Sequence, residues 1–189
     1  MRVKFLILFL SIISIGLGGR LLTNGDFEQP LNIGWSSAFG LQNTSDTIDR
    51  QTYFDLDPDY EVRVKKYDEI YAKLYQTVNI PTTDLDFSVT AKLYALEYTP
   101  TATYWAAAAI CLRYLDANGN QLGETRIAYK TPHSPWTSTS TIHLINVTDP
   151  NNWYNYSFNL NNELANLPGV NPTQIRKVQI ALLDTTNGC

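Results

Sequence analysis

From Asp86 to Leu96, the apolar residues Phe87, Val89, Ala91, Leu93 and Ala95 alternate with Ser88, Thr90, Lys92 and Tyr94. A two-residue period sends successive side chains to opposite faces of a pleated strand, so one face here is buried and the other is wet or holds a ligand. The same kind of short, turn-bounded run recurs at 60–65, 70–80, 105–115, 121–130, 141–147, 153–160 and 175–184. Asp116-Ala117-Asn118-Gly119-Asn120 supplies the positive-φ pair that closes a hairpin between two of them. Only 161–167 reads as a helical turn, stopped by Pro168-Gly169. Twelve Tyr and four Trp favour strands further. The expectation is an all-β chain folded as one antiparallel β-sandwich.

The first residues stand apart. Arg2 and Lys4 precede an uncharged apolar run from Phe5 to Leu17, too short for a membrane span and ending in Gly16 and Gly18. Residues 1–18 read as a cleaved signal peptide, with an uncleaved anchor as the alternative, which leaves 19–189 as the domain and implies a secreted, extracellular or cell-surface protein with no stable membrane insertion once the signal is removed. Cleavage lowers the formal charge from −4 to −6. With no basic cluster beyond Lys65-Lys66, nucleic acid is not an expected partner. Cys111 and Cys189 form no CxxC pair; they are either bridged or two unpaired thiols.

The most specific stretch is Leu22-Thr23-Asn24-Gly25-Asp26-Phe27-Glu28-Gln29-Pro30, followed by Gly34-Trp35. Together with Leu74-Tyr75-Gln76-Thr77-Val78-Asn79-Ile80-Pro81, Trp153-Tyr154-Asn155-Tyr156-Ser157 and the run from Leu167 to Val178, it resembles the jelly-roll carbohydrate-binding modules of the galactose-binding-domain-like superfamily. The resemblance implies a jelly-roll sandwich. It also implies a structural calcium ion held by Glu28, with Asp26 beside it and an acid from the last strand, for which Asp184 is the available residue. The alternative is that Asp26 and Glu28 are solvated residues around a buried Phe27. The closing strand with its acidic pair that completes the family pattern is missing after Asp184, so either Asp184 substitutes for it or the natural chain runs on. Asp116, Asn118 and Asn120 mimic the start of an EF-hand loop, but Gln121 and Ile127 stand where a Gly and a bidentate Glu are needed.

A sugar is held by aromatic rings that stack on its apolar face and by polar groups that meet its hydroxyls. Alternation puts Tyr71 and Tyr75, with Lys73, on the non-core face of 70–80, Tyr94 on that of 86–96, and Trp105 and Arg113 on that of 105–115. Tyr71, Tyr75, Tyr94, Trp105 and Arg113 are therefore the candidate ligand residues. Trp136, in the loop after Lys130, is either a binding residue or an edge cover.

Catalysis has little footing. His133 and His143 lie in no HExxH, and no GxSxG or clustered acidic signature appears. His143 reads as an exposed strand residue. The expected function is a non-catalytic module binding a polysaccharide or surface glycan. The alternative is a structural or adhesive module with a protein partner in an extracellular or envelope assembly. A small glycosidase ranks behind both.

Overall fold

The computed structural model describes residues 21–52, 58–97, 103–150 and 152–188; the segment read as a signal peptide lies outside them, as does Cys189. The chain is predominantly β, built from β1 (Ser36–Phe39), β2 (Thr47–Gln51), β3 (Glu61–Lys65), β4 (Ile70–Asn79), β5 (Asp86–Lys92), β6 (Ala106–Leu115), β7 (Gln121–Lys130), β8 (Ile142–Asn146), β9 (Trp153–Asn159) and β10 (Lys177–Thr186). A single helical turn, α1 (Leu160–Glu163), is capped by the Asn159 side chain and runs on into a 3-10 turn, Leu164–Asn166. Among the described residues, no helix is long and apolar enough to cross a membrane.

Six strands form one sheet in the order β1-β4-β10-β6-β7-β8, and β2-β3 and β5-β9 form two-stranded ribbons. The inner face of the large sheet carries Ala72 and Leu74 from β4, Ile110, Leu112 and Tyr114 from β6, Ile127 from β7 and Ile180 and Leu182 from β10. These pack into one core with Val62 and Val64 of β3 and Phe87, Val89 and Ala91 of β5, so the ribbons form a second, sandwich-like layer. The alternation in 86–96 is realised: Phe87, Val89, Ala91 and Leu93 are fully buried.

Two features depart from expectation. Strands β1 and β2 pair with β4 and β3 without any apolar alternation of their own. Strand β8 pairs with β7 in parallel, Glu124 opposite Ile142 and Ala128 opposite Asn146. Parallel neighbours cannot be joined by a tight turn, so residues 131–141 must run back along the length of β7 before β8 begins. That return path carries Trp136 over the outer face of the sheet.

The opening motif is a knot of turns. The Asn24 side chain accepts from the Gln29 N–H at 2.8 Å and donates to the Gln29 carbonyl at 2.9 Å, while Trp35 Nε1 donates to the Asn24 carbonyl at 2.9 Å. Gly34, at φ 85°, lies so close to Thr23 that a Cβ would come within 2.8 Å of it. The knot delivers Phe27 and Trp35 to the core with ring centroids 5.1 Å apart.

Candidate functional site

The outer face of the six-stranded sheet is set by the register of four strands. Reading across β4, β10, β6 and β7, its rows are Thr77, Gln179, Arg113, Glu124; then Tyr75, Ala181, Cys111, Arg126; then Lys73, Leu183, Ala109, Ala128; then Tyr71, Thr185, Ala107, Lys130. The middle of this face is made of small residues. Ala109, Cys111, Ala128 and Ala181 are fully covered because Tyr71 and Tyr75 settle onto them from one side and Trp136 from the other. Large rings over small side chains keep part of each ring in solvent, and all three remain half-buried.

Cations accompany the rings. Lys73 Nζ lies 4.4 Å from the Tyr75 ring centroid, and Arg126 Cζ lies 4.4 Å from that of Trp136. Both distances are in cation–π range. Trp105 sits at the same end as Trp136, with ring centroids 6.1 Å apart. Glu124 is buried between Arg126, at 2.8 Å, and Arg113, at 3.2 Å. Burial pushes the Glu124 carboxyl up, but the hydrogen bond and charge of Arg126 and the charge of Arg113 outweigh it, and its pKa is lowered. Arg113 also donates to Gln179 Oε1 at 3.3 Å. The Cys111 thiol, a free one, is raised well above its ordinary pKa, first by burial and then by Glu124, so it is held protonated and inert.

Tyr71, Tyr75 and Arg113 thus share this face, Arg113 in a row at one end of it and Trp105 beside Trp136 at the other, and Tyr94 is not on it. Tyr94 lies past the end of β5 and stacks near Tyr129, centroids 6.4 Å apart, against the main core. Lys73 and Arg126 join the site beyond the expected residues, and Trp136 lies over the same face.

The carboxylates expected to hold calcium do not converge. Glu28 Oε1 accepts the Tyr60 N–H at 3.3 Å, just before β3, whereas Asp184 Oδ2 accepts the Lys66 N–H at 2.6 Å, just after it. Six residues of extended chain separate those amides by about 20 Å. The carbonyls of Phe27 and Glu28, the other natural oxygens of such a site, receive Arg50 Nε and Nη2, with the guanidinium 3.2 Å over the Tyr60 ring. A fixed guanidinium repels a divalent ion from the same oxygens. Among the described residues, no three His, Cys, Asp or Glu side chains gather as a metal site. A chelator is therefore expected to leave the melting temperature unchanged in differential scanning fluorimetry. A fall of several degrees would show that an ion binds the native state.

Two other places gather polar groups. A cleft of about 450 Å³ opens beside β1 and β2, lined in part by Trp35, Phe39, Gln42 and Asp46. Its carboxylate is already committed to Lys66 Nζ at 2.7 Å, and Trp35 is 5% exposed, so it offers no free charge and does not present its indole for stacking. At the β8 edge, Tyr114 Oη donates to Thr125 Oγ1 at 3.0 Å, which donates to Glu163 Oε1 at 2.8 Å. His143 Nδ1 meets the same oxygen at 2.5 Å, so His143 is tied inward and half-buried where an exposed position was expected. The Thr125 hydroxyl is wholly enclosed and is not presented as a nucleophile. No family model matches the chain, and no curated protein matches its sequence.

Proposed function

We propose that the chain is a secreted, non-catalytic jelly-roll module of the carbohydrate-binding kind, which holds a polysaccharide or surface glycan on the outer face of its six-stranded sheet. The observation that carries this reading is the set of half-exposed rings of Tyr71, Tyr75 and Trp136 on one face, with Lys73 and Arg126 beside them and Arg113 further along the same face. Pyranose rings stack on the aromatics. The guanidinium and ammonium N–H groups meet the hydroxyls, and no bond is broken.

The test is a glycan array followed by affinity electrophoresis. Tyr75→Ala is expected to weaken retardation about ten-fold, the loss of one stacked ring. Tyr94→Ala, on the other side of the sheet, is expected to leave it unchanged. If no glycan retards the protein and it sediments as a self-associated species, the adhesive reading replaces this one.

A further inference from the structure

The charges of this face do not match those of the chain. The whole sequence carries 14 Lys and Arg against 18 Asp and Glu. The outward positions of β4, β10, β6 and β7 carry Lys73, Lys177, Arg113, Arg126 and Lys130 against one acid, Glu124. Glu124 is 1% exposed and is shared by Arg113 and Arg126, so it serves as a tether beneath the surface and presents no negative charge to a ligand.

Two of the cations have donor capacity to spare. Among the described residues no carboxylate pairs with Lys73, whose ammonium lies between the Tyr75 and Tyr71 rings at 4.4 and 6.0 Å from their centroids. Burial and then the nearby Arg113 push the Lys73 pKa down, so this ammonium stands to gain from an anion. The Nε of Arg126 is buried without a hydrogen-bond partner among the described residues. Arg126 already has Glu124 as its anion, so the unfavourable case is Lys73, a partly desolvated ammonium with no anion beside it among the described residues, and a ligand bearing the opposite charge relieves that.

We infer that the ligand is an acidic glycan whose uronate carboxylates are held by Lys73 and Arg126, an inference that rests on the glycan-binding reading above. The geometry favours a uronate over a sulfate ester. A uronate carboxylate is bonded directly to a ring carbon with no linking oxygen, so a ring stacked on an aromatic brings the carboxylate to a cation standing 4.4 Å from the aromatic centroid. A sulfate ester swings on a rotatable oxygen and asks for loose surface charge instead.

Affinity electrophoresis with polygalacturonate, alginate, methyl-esterified polygalacturonate, neutral galactan and dextran sulfate tests this. Retardation by polygalacturonate or alginate is expected, with loss on methyl esterification, which removes the charge and keeps the backbone. Lys73→Gln, at a half-buried position whose side chain makes no hydrogen bond or ion pair among the described residues, is expected to weaken uronate binding about ten-fold and to flatten its salt dependence, with an unchanged melting temperature. Equal or tighter binding of the ester or of galactan would overturn the acidic ligand and leave glycan binding standing. Tighter binding of dextran sulfate than of either uronate would overturn the carboxylate assignment. Failure of every polymer and of the array would remove the glycan reading itself.

Discussion

Phe27→Ala is expected to lower the stability of the protein by about 3–5 kcal/mol, read as a shift of the urea midpoint at unchanged slope. Phe27 is fully buried, and its ring meets Trp35 at 5.1 Å between centroids. Truncation removes that ring from a core shared by both layers and leaves a cavity that the Asn24 knot is too constrained to close. The backbone points the same way. Phe27 has φ 56°, in the left-handed region that costs a bulky L-residue about 1–2 kcal/mol, and the neighbouring turn residue Asn24 has φ 52°. Such a conformation persists because the ring is anchored, so its removal loosens the turn along with the packing. Phe27→Leu keeps most of the volume and is expected to lose about half as much. A loss below about 1 kcal/mol for the alanine variant would mean that the opening motif is not part of the cooperative core.

What could be read from the sequence follows the physics of each segment. Strands β3 to β10 carry enough apolar alternation or turn chemistry to be seen, and β7 appears at its full extent, Gln121–Lys130. Strands β1, Ser-Ser-Ala-Phe, and β2, Thr-Ile-Asp-Arg-Gln, are half-exposed or more and are held by backbone pairing to β4 and β3. Pairing of that kind leaves no period in the side chains.

The candidate site was readable within strands and obscure between them. Period two sorts the residues of one strand onto two faces but does not say which sheet the strand joins. Tyr71, Tyr75 and Arg113 fell on one face because β4 and β6 both flank β10. Tyr94 did not, because β5 pairs with β9 in the other layer and the chain then turns toward Tyr129. Arg126 follows from the alternation of β7, where Glu124, Arg126 and Ala128 share a side, but nothing in the alternation tells a cation beneath a ring from a solvated one. Trp136 depends on the parallel β7–β8 pairing, a long-range fact with no local signature. The calcium expectation drew on Asp26, Glu28 and Asp184 at two chain ends, and Arg50 and the length of β3 keep those ends apart.

Asp184→Asn is expected to stabilise the protein near pH 8 and to leave it little changed at pH 4. Asp184 is fully enclosed on the inner face of β10, and its carboxyl pKa is raised to about 8, first by burial and then by the neighbouring Asp46 charge, against the N–H groups of Lys66 and Thr185. In the unfolded chain the same group titrates near 3.8. Between those values the native state holds a proton that the unfolded state has released, so native stability is full below pH 4, falls as pH rises and levels off above pH 8. The fall amounts to no more than about 4 kcal/mol between pH 4 and pH 7, at about 1.4 kcal/mol per pKa unit. Asp46 does not confuse the result. Burial pushes its pKa up, but Lys66 and the N–H groups of Asn43 and Tyr67 outweigh it, so its pKa is lowered and its contribution is lost only at more acid pH. An asparagine keeps the acceptor for the Lys66 N–H and does not ionise, so thermal melts of the variant in chelator-treated buffer should lose the downward slope from pH 4 to pH 8 that the parent shows. A parent whose melting temperature is flat across that range, or a variant less stable than the parent at pH 8, would mean that Asp184 is ionised in the native protein and paired by Lys65 or Lys66.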